Sequence, residues 1–354
     1  TNIDDNIGIL TKKLDDLGIS DNTILIFMTD NGSSMGDKKI ENIIAFNAGM
    51  RGKKNSEYDG GHRVPFFIKY PNGKLEAGKD INNISAHIDV LPTLIELCGL
   101  KLNKPIDFDG KSLMPLINGL DKNWSERLLI TDSQRVEHPI KWRKSAVMSD
   151  NWRLVNGGEL YNMVEDPGQT NDVALEEPKK VKKFRKAYDT WWDDVSLDFD
   201  DFQAIIIGSP LENPVNLTSH DWHSKTQVPW NHKHIRSGLQ GNGFWVLDIE
   251  STGIYEITLS RWPLSTKLPI TSRMEKRPAL NGTSVNESLE GKALNILKAY
   301  IEIGGEKMEQ DVKETDVSVT FTVNLKAGKD KRLITTFTGN EVDMGAYYVQ
   351  VLKK

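Results

Sequence analysis

Three side chains early in the sequence have the types needed to bind an anionic ester. Asp30 and Asn31 follow a run of strand-favouring residues and place a carboxylate beside an amide oxygen. Lys54 follows in a glycine-rich segment between Arg51 and Pro65. Carboxylate and amide oxygens are ligands that Ca²⁺ or Mg²⁺ accepts, and a lysine adds a compact positive charge. A divalent cation and a lysine together suit the chemistry of a sulfate or phosphate ester.

The same residues also have a purely structural interpretation. Asp-Asn-Gly is a turn signal, because all three residue types tolerate left-handed or Asx-turn backbone. Taken alone, it favours a turn without chemistry. The later segment shifts the balance, since Gly52, Gly60 and Gly61 bracket Lys53 and Lys54. Such a segment can bring bare backbone and a cationic side chain close to an anion.

Two predicted elements would position these residues. The apolar run from Thr23 to Thr29 predicts a strand buried on both faces of an α/β sheet. Ligands of such sheets gather outside the carboxyl ends of the strands, where Asp30 and Asn31 fall. Before the strand, helical spacing predicts an amphipathic helix that ends at Gly18 and has its apolar face on Ile3, Ile7, Leu10, Leu14 and Leu17.

These stretches resemble a known family. Leu25-Ile-Phe-Met-Thr-Asp-Asn-Gly32 and Arg51-Gly-Lys-Lys-x-x-x-Tyr-Asp-Gly-Gly-x-Arg-Val-Pro65 are similar to the C-terminal half of the formylglycine-dependent (type I) sulfatases. Three further stretches agree in order and spacing, namely Asp4–Leu10, His87–Leu94 and Glu159–Gly168. The resemblance implies a sulfuric ester hydrolase with an alkaline-phosphatase-like α/β/α sandwich.

The resemblance also implies roles for single residues. Asp30 and Asn31 would complete a Ca²⁺ shell, with Mg²⁺ as the other candidate, and Lys54 would bind the sulfate and act in catalysis. His62 occupies a variable position of the motif, where a substrate contact is conceivable. Arg51 and Arg63 are expected to brace the loop and not to touch sulfate.

The family's nucleophile motif does not occur in this sequence. That nucleophile is a cysteine or serine, followed by x-Pro-x-Arg, that is oxidised to formylglycine. The single cysteine, Cys98, lacks the proline and arginine, and no Ser-x-Pro-x-Arg is present. We therefore expect the N-terminal half with the nucleophile to be missing from this chain and to be a possible partner of it. The 354 residues alone are expected to have no sulfatase activity.

The chain is predicted to hold three domains. Residues 1–127 would be the C-terminal part of the catalytic α/β domain, and residues 128–200 a small antiparallel subdomain. Residues 201–354 would form an accessory β-sandwich of jelly-roll type. That last prediction rests on six segments with an alternating pattern: Phe244–Ile249, Gly253–Leu259, Tyr300–Ile303, Val317–Val323, Arg332–Phe337 and Ala346–Leu352.

A histidine- and tryptophan-rich segment, residues 218–234, leaves three interpretations open. It contains four of the seven histidines and two of the nine tryptophans. It could line the substrate cleft, with His220 and His223 as substrate contacts, or it could be a domain-packing loop. A metal site is the third interpretation, because these two histidines have ligand-like spacing, although no cysteine or glutamate is seen to join them.

Composition narrows the classes of partner. A net charge of −5 and a pI near 5.9 argue against broad nucleic-acid binding. No apolar run reaches the roughly 18 residues of a membrane span. The tryptophans, the predicted β-sandwich and the absence of a basic surface favour a sulfated glycan over a steroid or a lipid as the substrate. The family resemblance implies a periplasmic or secreted location. Two alternatives stay open: a phosphoesterase or phosphonate hydrolase of the same fold, and a non-catalytic fragment or glycan-binding module.

Overall fold

The protein divides into two compact units. The computed structural model describes residues 2–36, 39–40, 43–73, 75–120, 124–134, 136–282 and 287–354. Unit 1 comprises Thr1–Arg135 and Pro139–Leu197, and unit 2 comprises Val136–His138 and Asp198–Lys354. The division into three domains at residues 127 and 200 stays a prediction.

Unit 1 begins with the predicted amphipathic helix. Helix α1 spans Asn2–Asp16 and is followed by Gly18, whose φ of 67° lies in the left-handed region that ends many helices. None of the α1 side chains is buried, and Ile3 and Ile9 are 64% and 68% exposed. The predicted helix therefore forms, and its predicted apolar face is only partly covered: Ile7 and Leu14 are half-buried, whereas Ile3, Leu10 and Leu17 are exposed.

The predicted strand before the Asp-Asn-Gly turn also forms. Strand β1, Leu25–Met28, pairs antiparallel with β4, Phe66–Lys69. Every residue of β1 is only half-buried, so the prediction of a strand buried on both faces was wrong for the described chain. The physical reason is that β1 has a single neighbouring strand among the described residues, which leaves its faces partly covered.

A buried carboxylate organises the helix that follows. Asp89 accepts hydrogen bonds from the Ala86 and Lys111 backbone N–H groups, each at 2.8 Å. The same carboxylate pairs with the buried Arg127 guanidinium at 2.8 Å. These contacts fix the turn into α3. The remaining short elements of this part of unit 1 are β2 (Lys39–Ile40), β3 (Ile43–Ile44), α2 (Asp59–His62), α3 (Val90–Leu97) and α4 (Met114–Ile117).

The rest of unit 1 is an antiparallel sheet covered by a long helix, close to where the sequence predicted both. The strands run in the order β5 (Leu129–Asp132), β6 (Ser145–Met148), β7 (Trp152–Val155) and β8 (Glu159–Asn162). Helix α5, Pro178–Val195, packs Phe184 and Tyr188 against apolar side chains of the sheet. Within the described ranges, no helix combines the length and apolar character that a membrane crossing requires.

Unit 2 is a β-sandwich, as predicted. A four-stranded sheet has the order β10-β18-β12-β15, and a six-stranded sheet has the order β14-β13-β16-β11-β9, with β17 paired to β16. The apolar core draws buried residues from both sheets, among them Tyr255 and Phe321 from one and Trp245 and Phe337 from the other. The element bounds are β9 (Ile205–Ile207), β10 (Val215–Thr218), α6 (His232–Ser237), β11 (Phe244–Ile249), β12 (Gly253–Ser260), β13 (Ile296–Ile303), β14 (Glu306–Asp311), β15 (Val319–Leu325), β16 (Gly328–Gly339), β17 (Val342–Met344) and β18 (Tyr348–Lys353).

Two details of the sandwich differ from the sequence prediction. Strand β9 pairs parallel to β11, so the sandwich is not purely antiparallel. Strands β9, β10, β14 and β17 were also missed. Strand β14 is the instructive case, because its sequence is charged and five of its six residues are exposed. It lies at the edge of the six-stranded sheet, where charged residues discourage pairing with other chains.

Candidate functional site

The end of β1 and the glycine-rich segment are joined by backbone hydrogen bonds. We call residues Arg51–Arg63 the glycine loop. Gly32 N donates to Gly61 O at 2.9 Å, and Lys54 N donates to Ser33 O at 2.8 Å. The turn that carries Asp30 and Asn31 therefore lies directly against the segment that carries Lys54.

The glycines are required by the closeness of this contact. A Cβ at Gly32 would lie 2.0 Å from Gly60 O, and one at Gly60 would lie 2.5 Å from Gly52 O. A Cβ at Gly61 would lie 2.1 Å from Ser56 O. Each neighbour is backbone that cannot move aside like a flexible side chain. Glycine is therefore the residue that fits at these three positions.

The two oxygen donors lie beside each other on the turn. Asp30 is exposed and Asn31 is half-buried. Asn31 Nδ2 donates to Gly32 O at 3.3 Å, so Oδ1 is the acceptor end of that side chain. His87 Nε2 lies 2.9 Å from Thr29 O, and because a carbonyl only accepts, Nε2 must carry the proton. His87 thus anchors the backbone just before Asp30, a role that the sequence analysis did not predict.

The donor set at this turn fits a hard divalent cation in part. A carboxylate and an amide oxygen are ligands of the kind that Ca²⁺ takes, but Ca²⁺ binds about six to eight oxygens. In the part of the chain that the structure describes, no three His, Cys, Asp or Glu side chains form a group that could hold a metal ion. Asp30 and Asn31 would therefore hold one side of the cation, with the other ligands coming from elsewhere.

The paired lysines have different surroundings. Lys54 is half-buried in the contact with the turn, and Lys53 is exposed. The role of Lys54 in binding sulfate stays a prediction.

His62 lies at the buried end of the glycine loop. Its side chain is 17% exposed, and Nε2 lies 3.5 Å from Asp59 Oδ1. Both ring nitrogens are buried and, among the described residues, neither makes a hydrogen bond within the usual distance. The ring thus borders Asp59, and its contact with a substrate stays a prediction.

A buried ion pair holds the glycine loop against the antiparallel sheet. Asp59 is fully buried, and Arg153 Nε donates to its Oδ1 at 2.8 Å. Burial by itself would raise the pKa of the Asp59 carboxyl, but the neighbouring His62 imidazole and the positive charge of Arg153 outweigh it and lower this pKa to about 2. Asp59 is therefore charged at neutral pH, and its pairing with Arg153 ties Gly60 and Gly61 to β7.

Arg51 braces the other end of the loop, as expected. Its Nη1 donates to Tyr161 Oη at 3.0 Å and to Gln169 O at 2.9 Å. Its guanidinium lies over the Tyr58 ring, 3.8 Å from the centroid. Gln169 also accepts from Asp59 N through its side chain at 2.8 Å. These contacts engage Arg51 with the protein and fit the expected bracing role.

His220 and His223 belong to unit 2, whereas the other four predicted site residues belong to unit 1. His223 Nδ1 lies 2.9 Å from Glu137 Oε1, and its ring packs against Phe202 and Phe244. The expectation that no glutamate joins these histidines was therefore wrong for His223. No local pattern could show it, because Glu137 lies far upstream in the sequence. His220 is exposed.

Two family profiles match the chain, and apart from residues 136–138 the matched residues belong to unit 1. The sulfatase profile matches residues 1–100. The profile described as N-sulphoglucosamine sulphohydrolase, C-terminal, matches residues 52–189. Together they cover the turn, the glycine loop, the antiparallel sheet and most of α5.

Curated relatives are sulfatases of several named kinds. An ulvan-active sulfatase of Formosa agariphila is 32% identical over 130 residues, covering 37% of this chain and 23% of that protein. An N-acetylglucosamine-6-O-sulfatase of Bacteroides thetaiotaomicron is 27% identical over 193 residues, covering 51% and 32%. A steryl-sulfatase of Mus musculus is 30% identical over 161 residues, covering 45% and 24%.

A solved structure in complex with D-glucosamine-2-N,6-O-disulfate is also similar, at 22% identity and a TM-score of 0.40, covering 56% of this chain and 39% of that one. The chain spans about a quarter to a third of the length of the three relatives above. The two profiles and these relatives agree on one assignment. Residues 1–189 belong to the sulfatase family, as a C-terminal portion of it.

Proposed function

We propose that this chain supplies the cation-binding and sulfate-binding side of a sulfatase active site that acts on a sulfated carbohydrate. The observation that carries the proposal is the backbone contact between Ser33 and Lys54, at 2.8 Å. It places two oxygen ligands and a half-buried lysine on adjoining segments of a family-matched region. An anionic ester needs both kinds of group within reach.

The chain's own residues have distinct tasks in this proposal. Asp30 and Asn31 would hold one side of a Ca²⁺ ion through their side-chain oxygens. When bound, that ion polarises the sulfate oxygens. The Lys54 ammonium offsets the negative charge on the sulfuryl group as the S–O bond breaks. Asp59, Arg153 and Arg51 keep the loop rigid, so that this charge is preorganised.

We assign the nucleophile to a formylglycine outside these 354 residues. Cys98, the single cysteine, is exposed at the end of α3 and lacks the surrounding motif. We call the chain joined to a segment with a Cys/Ser-x-Pro-x-Arg motif the joined protein. In this proposal the joined protein is active, and the 354-residue chain alone is not.

Two observations support a carbohydrate as the carrier of the sulfate. Relatives named for ulvan and for N-acetylglucosamine act on sulfated saccharides, although steryl-sulfatases are relatives too. The chain also exposes His220 and Trp230, ring types that suit contact with sugars. Because a polysaccharide substrate is outside the cell, we propose a periplasmic or secreted location.

The proposal is tested by comparing the two neighbouring lysines in the joined protein. Lys54→Ala is expected to lower kcat/KM for an aryl sulfate by about 10²-fold or more, the typical value of one group that stabilises transition-state charge. Lys53→Ala is the matched control and should change kcat/KM little, because Lys53 is exposed. Steady-state kinetics on the aryl sulfate and the corresponding aryl phosphate measure both activity and ester preference. Equal values for Lys54→Ala and the unmodified joined protein would remove Lys54 from the site.

A further inference from the structure

Trp230 differs from every other tryptophan of the chain. The sequence contains nine tryptophans, all of them within the described residues. Eight are buried or half-buried, whereas Trp230 is 54% exposed. Exposing a large aromatic surface to water costs free energy in proportion to its area. The exposed part of this indole can be reached by a ligand from the solvent.

An exposed imidazole lies beside this indole. The His220 and Trp230 ring centroids are 4.8 Å apart, with the ring planes at 48°. His220 is itself exposed. The two rings therefore form an aromatic surface of two adjoining faces, which we call the His220–Trp230 platform.

The backbone on both sides of the platform is fixed. His220 lies between Ser219, whose N–H donates to Tyr347 O at 2.8 Å, and Trp222, which is buried against Trp245. The Trp230 N–H donates to His234 Nδ1 at 3.1 Å. A ring held in place loses little conformational entropy when it binds a ligand, which is the advantage of a preorganised site.

Polar groups follow Trp230 on an ordered segment. Asn231 caps α6, its side chain accepting from Lys233 N at 3.0 Å and from His234 N at 3.4 Å. Residues 218–234 contain Lys225 and Lys233, both exposed, against one acidic residue, Asp221. The segment is thus locally cationic in a chain with a net charge of −5.

We propose that the His220–Trp230 platform is a separate binding site in unit 2 for a sulfated glycan. A pyranose ring would stack on the Trp230 indole, since an aromatic face suits the apolar face of a sugar, and His220 would supply a hydrogen bond from the ring edge. Lys225 and Lys233 favour an anionic sugar. The choice of sulfate as the anionic group rests on the proposed function. The site itself needs no nucleophile.

The other histidine of the segment has a different part. His223 is engaged with Glu137 and with the rings of Phe202 and Phe244. It stabilises the base of the segment and is not a member of the platform. That both histidines contact substrate stays a prediction, and the platform proposed above includes His220 and not His223.

The inference is tested by affinity electrophoresis of the 354-residue chain in native gels that contain ulvan, dextran sulfate or dextran. We expect the unmodified chain to be retarded by ulvan or dextran sulfate and less by dextran. Trp230→Ala should raise the dissociation constant at least about tenfold, the typical effect of truncating a tryptophan that anchors a contact. Trp230→Phe should retain part of the affinity, because it keeps an aromatic face. Phe46→Ala is the matched control, as Phe46 is 86% exposed and belongs to unit 1.

Three results would overturn the inference: no retardation of the unmodified chain by either sulfated polymer, equal retardation by dextran sulfate and dextran, or equal retardation of Trp230→Ala and the unmodified chain. A thermal unfolding midpoint within about 2 °C of the unmodified chain shows that Trp230→Ala is folded, as expected for an exposed side chain. If that variant unfolds, His220→Ala takes its place and should also weaken retardation. Binding without turnover by the joined protein would refute the proposed function and leave the platform standing. Turnover without binding would do the reverse.

Discussion

Each unit contains a buried arginine, and different kinds of partner stabilise the two. Arg153 in unit 1 donates to the Asp59 carboxylate at 2.8 Å, directly beneath the glycine loop. Arg261 in unit 2 is fully buried beside the sandwich core, and its Nη1 donates to the Ser272 carbonyl at 3.0 Å. Its guanidinium lies over the Trp262 ring, 4.4 Å from the centroid. Neutral carbonyls and an indole take the place of a carboxylate there.

The difference appears in the pKa of each region. In unit 1, the neighbouring His62 imidazole and the charge of Arg153 overcome the effect of burial and lower the pKa of Asp59 to about 2. In unit 2, burial lowers the pKa of Arg261 to about 10, with only the nearby Tyr347 opposing it. Unit 1 therefore depends on a matched pair of charges, and unit 2 depends on its apolar core. The buried charge in unit 1 thus positions a loop, whereas the buried charge in unit 2 is accommodated by packing.

The largest expected effect distinguishes these two arginines. Arg153→Met should lower the free energy of unfolding by about 3–5 kcal/mol, because it removes the hydrogen-bonded partner of the buried Asp59 carboxylate and leaves only the more distant His62 and Arg63. Arg261→Met should cost less, about 1–3 kcal/mol, because it leaves only neutral carbonyls without a donor. Urea denaturation measures both values, and hydrogen exchange of peptides from each unit shows where protection is lost.

A double substitution is the control for the ion pair. Asp59→Leu combined with Arg153→Met removes both charges, so it should be less destabilising than Arg153→Met alone. An equal or larger loss in the double variant would show that the two charges are not energetically coupled. The contrast between the units would then fail.

The next prediction compares the stability effect of a substitution in the glycine loop with that of a substitution in the exposed helix α1. Gly60→Ala should destabilise the protein by about 1–3 kcal/mol, because its Cβ would lie 2.5 Å from Gly52 O and 2.6 Å from Arg51 O. Gly8→Ala is the matched control in α1, where nothing lies within 4 Å of the added methyl group. It should stabilise the protein by about 0.5–1 kcal/mol, since glycine is costly inside a helix. A loss of similar size at both positions would contradict the close contact seen at the loop.

The last prediction concerns how the Asp59 pair makes the free energy of unfolding depend on pH. The folded-state pKa of Asp59 is about 2, below its ordinary value of 3.8. Its contribution to stability is therefore complete above the ordinary value and is lost as pH falls toward 2, by at most roughly 2 kcal/mol. Unfolding free energies measured for the unmodified chain and Asp59→Asn should converge as pH falls from 5 to 2. A constant difference over that range would show that Asp59 is not the titrating group.

Short-range patterns in the sequence predicted much of this fold. The predicted segment Phe244–Ile249 has the observed bounds of β11. The predicted segment Val317–Val323 overlaps β15, where buried and exposed residues alternate because an inward-facing side chain at every second position defines a half-buried strand. The same rule could not predict β14, whose residues face solvent at a sheet edge. It also could not show that β1 would be only half-buried, since burial depends on the strands that cover it.

The candidate site was predictable only in part for a similar reason. The turn and the glycine loop are close in sequence, and the residue types at Asp30, Asn31 and Lys54 indicate their chemistry. The contacts that hold the loop are distant in sequence, as between Asp59 and Arg153 or between Arg51 and Tyr161. No local pattern identifies such partners. The partner of His87, Thr29 O, was likewise not predictable, because the contact depends on the folded chain.

We propose that a divalent cation binds at the end of β1 with Lys54 beside it. A crystal structure of the joined protein with Ca²⁺ and sulfate tests that claim most directly. We predict that oxygens of Asp30 and Asn31 lie about 2.3–2.6 Å from the cation, and that Lys54 Nζ lies within hydrogen-bonding distance of a sulfate oxygen. A cation bound away from both residues, or a Lys54 side chain turned away from the sulfate, would contradict it.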